Sequence, residues 1–259
     1  MTPRTTAMAQ SSGQFFEVRF HFRTAVAVGD NGLLPPLDSL LASVIARREG
    51  RLSPPSRVEP APINLPLDEI RPGLYAASLI WPTHIATDGS QEYRRIHIEP
   101  SFLDRTIIQN TNIPKTFANP SSGPLVTKQR QRQALIVQEA VAYGRGDALA
   151  VKDLLNDITQ VGGFRGIGFG LLKEPPAPHR MSYDRSLVDP KEGKLLRIVP
   201  LRLAEDLGLD PDDERLAAYV GVASVRPPLW FKAWHEECLI PLPLNVRGKK
   251  VRAGYDAGS

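Results

Sequence analysis

The sequence predicts an α+β chain, a split βαβ half of the ferredoxin-like kind followed by a β-rich half. Three observations predict it. Apolar residues alternate near the start, two amphipathic helical segments each follow strand-like runs, and the last third is built of short apolar runs separated by turns. With 259 residues the chain can bury a substantial core, and 42% hydrophobic and 23% charged residues are ordinary for a globular protein.

Between Phe16 and Phe22 apolar and polar residues alternate, the period of a half-buried strand, and Gly29, Asp30, Asn31 and Gly32 break it. In LLPPLDSLLASVIARREG, Leu37, Leu40, Leu41, Val44 and Ile45 recur at helical spacing, with Gly50 as a stop signal. The proline-rich RLSPPSRVEPAPINLP is expected to run extended. GLYAASLIW and EYRRIHIE read as the next two strands, parted by a polar turn around Asp88 and Gly89. From Pro100 to Arg132 no period is visible, and an insertion of that length is expected to be functional or disordered.

QALIVQEAVAYG is strand-like, although its first part also suits a helix. GDALAVKDLLNDITQ is a helix with Leu149, Val151, Leu154, Leu155 and Ile158 on one face and Asp147 at its start. IGFGLLK leads into a strand, Glu174 to Lys194 is a polar loop, and LLRIVPLRL, AYVGVASV and CLIPLPL are strands around an acidic turn, DLGLDPDDE. The implied organisation is a disordered leader over 1–14, a ferredoxin-like domain over 15–174 with an insertion at about 100–132, a β-rich part over 175–246 and a basic tail over 247–259. The leader lacks the apolar core of a signal peptide, and no apolar run approaches the roughly 18 residues of a membrane span. Cys238, the single cysteine, excludes an internal disulfide, so a reducing cytoplasm fits.

The net charge of +4 is modest, but its distribution is uneven. Arg94, Arg95, Arg105, Lys115, Lys128, Arg130, Arg132 and Arg145 face only Glu99, Asp104 and Glu139 in the same stretch. The tail adds Arg247, Lys249, Lys250 and Arg252 against Asp256. Such patches suit a polyanion, because phosphate contacts release counterions; a solvated surface is the other reading.

DITQVGGFRGIGFGLLK carries five glycines within nine positions around Arg165. A dinucleotide fingerprint requires strand, glycine turn and then helix, so that pyrophosphate meets a helix N-terminus. Here the order is helix, glycine loop, strand, and no P-loop spacing is present. Two readings remain: a side-chain-poor loop whose amides and Arg165 approach a chain of phosphates, or a tight connection in which glycine supplies positive φ.

FRTAVAVGDNGLLPPLDSLLASVIARR and AYGRGDALAVKDLLNDITQVGGFRGIGFG, in that order, resemble the RAMP superfamily of CRISPR-associated proteins. The closest resemblance is to the subunit that caps the 5′ end of the guide RNA in type IV effector complexes. The resemblance implies a ferredoxin-like (RRM-like) architecture, with a glycine loop of Gly162, Gly163, Arg165, Gly166, Gly168 and Gly170 touching guide RNA. It also implies a thumb-like insertion whose Lys115, Lys128, Arg130 and Arg132 contact RNA and the neighbouring backbone subunit, with Arg94, Arg95 and His84 as further RNA contacts. The guide (crRNA) 5′ handle, other effector subunits and target DNA in the assembled complex are the implied partners, with no cofactor, no metal and no membrane. A second basic residue common in such loops is missing, since Gly163 and Phe164 occupy its place.

A metal-independent guide-processing ribonuclease is the alternative, requiring a base, an acid and a cation around the scissile phosphate. His21, His84, His97, His179 and His235 are the candidates. A third reading is a structural subunit that docks protein without touching RNA. Metal sites are not supported: HEEC at His235 to Cys238 lacks a second ligand pair, and Asp210, Asp212, Asp213 and Glu214 lack EF-hand spacing. Tyr93, Phe117 and Tyr143 suit either unstacked bases or core packing, while Trp81, Trp230 and Trp234 suit burial or a subunit contact.

Overall fold

The computed structural model describes residues 13–29, 32–51, 63–94, 129–163, 165, 168–225, 227 and 234–243, with the backbone alone at 84–94 and 129–133. Strand β1 is Gln14–His21, and its alternation decides its two faces: Phe16, Val18 and Phe20 are buried while Arg19 is exposed. The two-residue strand β2 is Val26–Ala27, followed by helix α1 at Leu37–Arg48. Asp38 in the first turn and Arg47 and Arg48 in the last suit the helix dipole. Gly50, at φ +68°, ends α1 in a Schellman motif, with the Gly50 amide donating to the Arg47 carbonyl and the Arg51 amide to that of Ala46.

A small hairpin, β3 (Glu69–Arg71) with β4 (Leu74–Tyr75), precedes the long strand β5 at Trp81–Arg94. Strand β6, Gln129–Gly146, is the spine of the sheet. Along one edge it pairs with β1 (residues 139–146) and with β2 (Ala134 and Leu135); along the other it pairs with β5, all antiparallel. Helix α2, Ala148–Leu155, starts where the Asp147 carboxylate accepts from the Leu149 and Ala150 amides. Strand β7, Pro178–Arg180, lies on the free side of β1. The order across the sheet is β5-β6-β1-β7, with α1 between β1 and β5 in the chain and α2 between β6 and β7.

Both helices pack on one face. Phe16, Val18 and Phe20 of β1 and Ala140 and Ala142 of β6 meet Leu37, Leu40, Leu41 and Val44 of α1 and Val151, Leu154 and Leu155 of α2. Gln138 and Glu139 are consecutive residues outside this core, and the register with β5 shifts there, so Val137 and Leu135 turn inward again after Ala140. That is a β-bulge, and it lets one continuous strand serve the core along its length. Arg48 at the end of α1 bonds the carboxylates of Asp153 (2.5 Å) and Asp157 (2.7 Å), holding the helices side by side and raising its own pKa.

The remaining residues form a second, three-stranded sheet, β8 (Val199–Pro200), β10 (Glu236–Pro241) and β9 (Ala218–Ala223), antiparallel in that order, with 3-10 turns at Leu201–Leu203, Glu205–Leu207 and Glu214–Leu216. Leu33, Leu74 and Leu79 share a core with Ile198, Leu203, Val225, Cys238 and Ile240. The outer face of the first sheet is covered at its middle, where Leu196 and Met181 lie on Val141, Tyr143 and Trp81. The Trp81 indole N–H donates to the Leu196 carbonyl at 3.0 Å.

Several expectations change. Residues Asp88 and Gly89 are not a turn; they pair with Leu135 and Ala134 inside β5, because the neighbouring strand supplies partners that outweigh local turn propensity. GLYAASLIW is not one strand: Ala76–Ile80 is irregular between β4 and β5, its backbone bonded to Asp68, Tyr143, Leu196 and Pro35. The insertion does not reach Arg132, since Arg130 and Arg132 are in β6 opposite Tyr93 and Gln91. QALIVQEAVAYG is strand throughout. Leu149 is 80% exposed rather than on the buried face, being at the N-terminal turn beyond the reach of the sheet. The described part of IGFGLLK, residues 168–173, is no strand but carries two isolated bridges, and LLRIVPLRL keeps only Val199–Pro200, since the chain enters a 3-10 turn at Leu201. Residues 1–12 of the leader, the tail and most of the insertion lie outside the described residues, and Gln14, expected in the leader, is the first residue of β1. Among the described residues no helix is long and apolar enough to cross a membrane.

One charged pair is fully buried. Arg197 bonds the Asp38 carboxylate at 2.6 Å and the carbonyls of Ala77 and Val225, while Asp38 also accepts from the Ser39 amide. Removing one partner strands the other charge, so Asp38→Ala or Arg197→Ala is expected to cost about 3–5 kcal/mol in urea unfolding. An Asp38→Leu/Arg197→Met double variant is expected to be more stable than either single one; equal loss in all three would show that the charges are not coupled. Burial pushes the Cys238 thiol up to about 12, so it stays protonated and unreactive at pH 8 in the folded protein. A thiol reagent is expected to label it only on unfolding, and rapid native labelling would contradict its burial.

Candidate nucleic-acid interface

The glycine loop hangs on the connection between β1 and β2. The Gly163 amide donates to the Ala27 carbonyl (3.0 Å), the Gly170 amide to the Ala25 carbonyl (2.8 Å), and the Thr24 hydroxyl to the Gly168 carbonyl (2.8 Å). Thr24 also accepts from the Leu171 amide. The loop closes on itself where the Val161 amide donates to the Gly170 carbonyl and Gln160 bridges Leu171. Beyond it the chain runs antiparallel to the end of β1: the Arg23 amide donates to Leu171, Phe22 bridges Leu172, and the Lys173 amide donates to His21.

The glycines divide into two kinds. Gly162 (φ +90°) and Gly170 (φ +67°) are structural, since a Cβ would collide with the Ala27 carbonyl at the first and the Val161 carbonyl at the second. Gly168 also has positive φ (+92°), but nothing lies within 4 Å of where its Cβ would be. Gly163 has only ordinary contacts with Ala27. So part of the run is accounted for by backbone geometry, and Gly168 leaves an open surface. Arg165 is exposed, and its carbonyl accepts from the Gln160 amide group (2.9 Å) and the Gly168 amide, which fixes the backbone carrying the guanidinium. Gly166 lies outside the described residues.

The other expected contacts are spread more widely. Arg94, Arg130 and Arg132 belong to the β5–β6 ribbon, where residues 90–94 pair with 129–133 beyond the last partner of β2; His84 is opposite Glu139 in the same pairing. Arg95, Lys115, Lys128, Phe117, His97 and Trp230 lie outside the described residues. Tyr143 is buried under the Arg185 guanidinium, 4.3 Å from the ring centre, which excludes it as an open base platform in this conformation and raises its pKa through desolvation. Asp213 caps a 3-10 turn and holds Arg215, and the Asp212 amide bonds Asp210, so the acidic stretch is a self-satisfied turn. Among the described residues no cluster of His, Cys, Asp and Glu could hold a metal ion.

Sequence reasoning passed over Arg23 and Lys173 beside the loop, and weighed His21 only as a candidate for nuclease chemistry. His21, Arg23 and Lys173 reach the outer side of the sheet by alternation with buried Phe22 and Leu172. His21 Nδ1 is 3.8 Å from a Glu139 oxygen, and Arg19 Nη1 is 3.6 Å from the other. The period of FFEVRFHFR already placed His21 and Arg23 opposite the phenylalanines; only the pairing with 171–173 shows what adjoins them.

Gly170→Ala is expected to unseat the loop and cost several degrees of melting temperature, whereas Gly168→Ala keeps the fold with a strain of about 1 kcal/mol. Equal melting temperatures for the two variants would contradict this division. No protein-family model matches the chain and no curated protein matches it, so its function is argued from its own residues and geometry.

Proposed function

We propose that the chain is a non-catalytic RNA-binding subunit of a type IV CRISPR ribonucleoprotein, holding the 5′ handle of the guide RNA and contacting the backbone subunit. One observation carries the reading: a glycine loop fixed at its roots by Ala25, Ala27 and Thr24 presents an exposed Arg165 beside an open Gly168. The Gly163, Gly168 and Gly170 amides are spent on carbonyls of the chain itself, so the support comes from an exposed arginine on a side-chain-poor surface, which suits the approach of a phosphate chain. The β5-β6-β1-β7 order with two helices on one face supports a ferredoxin-like domain, and agrees with the sequence resemblance to RAMP proteins. The β5–β6 ribbon leads from the sheet toward residues 95–128, the basic insertion assigned to the neighbouring subunit and the guide. Base specificity on this reading comes from splayed single-stranded nucleotides, as RNA sequence is mainly read there.

A nuclease reading has one observation in its favour, the approach of His21 to Glu139 near the same loop, but 3.8 Å is too long for a hydrogen bond. Cleavage of repeat RNA without metal, lost in His21→Ala, would establish it. The binding reading expects intact RNA on a denaturing gel and a shifted band on a native one. Arg165→Ala is expected to weaken binding about tenfold, for a charge-assisted contact of roughly 1.5 kcal/mol. Unchanged affinity would remove the loop from the interface.

A further inference from the structure

Most arginines with described side chains are already neutralised. Arg19, Arg48, Arg51, Arg145, Arg185, Arg197, Arg202 and Arg215 each form an ion pair with a carboxylate. Arg23, Arg165 and Lys173 are exposed and form none among the described residues. These three cations are brought together by backbone pairing. Arg23 and Lys173 are on adjoining antiparallel segments, and Thr24, next to Arg23, bonds the Gly168 carbonyl of the loop that carries Arg165. The nearby acids are largely engaged: Glu17 and Glu139 both pair with Arg19, leaving Glu174 exposed beside Lys173.

The rest of the outer face limits where a strand could run. Met181, Leu196 and Trp81 cover Val141 and Tyr143, so the middle of the sheet is closed. Its open end is where His21, Arg23 and Lys173 emerge, while Phe22 and Leu172 between them are buried and offer no apolar surface to a protein partner. Cations on adjoining segments, diagonal to each other across the Phe22–Leu172 bridge and so roughly 7–8 Å apart at the backbone, suit a polyanionic backbone rather than a protein interface.

We propose that Arg23 and Lys173 form a second phosphate-binding step beside the glycine loop, taking the backbone of the same single-stranded RNA as it leaves Arg165. This rests on the RNA-binding reading above and adds a site and a direction to it. The strand runs from the loop over the outer side of the β1 end, not across the middle of the sheet.

The test is the salt dependence of affinity, measured on the full chain with handle-sequence single-stranded RNA. Each phosphate contact with a single strand contributes about 0.7 to the slope of log affinity against log salt. Arg23→Gln/Lys173→Gln is therefore expected to lower the slope by about 1.4, and each single variant by about 0.7. Arg47→Gln/Lys152→Gln, which removes two exposed charges from the helices, is expected to leave the slope near that of the wild type. Melting temperatures of all variants establish that the fold is kept. A slope in Arg23→Gln/Lys173→Gln equal to the control's, with Arg165→Ala still weakened, would overturn this second step and leave the loop's role standing. No salt-dependent binding by the wild type would overturn both.

Discussion

The buried pair of Arg197 and Asp38 is the constraint on which the arrangement of the two halves depends. A guanidinium at 1% exposure is tolerable only where carboxylate and carbonyl oxygens surround it. Four segments must converge to supply them: the first turn of α1 through Asp38, the irregular stretch through Ala77, the chain just past β9 through Val225, and the approach to β8 that carries Arg197 itself. With α1 held there, its apolar face is set against β1 and β6, and Leu79 and Trp81 are delivered to the second half. The pair specifies position more than it adds net stability, because both charges must be desolvated to form it.

From that frame the roots of the glycine loop take their position. α2 packs Val151, Leu154 and Leu155 into the same core as β1, and the chain leaving it has nowhere to go but alongside Phe22 to Ala27. Gly162 and Gly170 permit that close passage, while Gly168 and Arg165 are left facing solvent. Two glycines fitted to the backbone, one opening the surface and one exposed cation form a geometry in which bonded roots and access coincide.

How far the sequence could be read depended on the range of the interactions involved. Residues Phe16 to Phe22, Leu37 to Ile45 and Asp147 to Leu155 carry local signals, namely alternation, helical spacing and a cap, and β1, α1 and α2 form where those signals are. Asp88 and Gly89 carry an equally local turn signal, yet they sit mid-strand because β6 runs past them. The bulge at Gln138 and Glu139, the Asp38–Arg197 pair across 159 residues and the covering of Tyr143 by Arg185 have no signature in any short window. In the candidate site, the density of glycines and Arg165 were visible; Arg23 and Lys173 were not, since only the pairing of residues 21–23 with 171–173 brings them beside the loop.

The most direct measurement of the central claim is photo-cross-linking of handle RNA carrying 4-thiouridine to the full chain, with the attachment points read by mass spectrometry. The account predicts adducts within 161–173 and at 21–24, and protected amide exchange in the same peptides. Adducts confined to the 3-10 turns at 201–216, with the loop peptides unprotected, would contradict it.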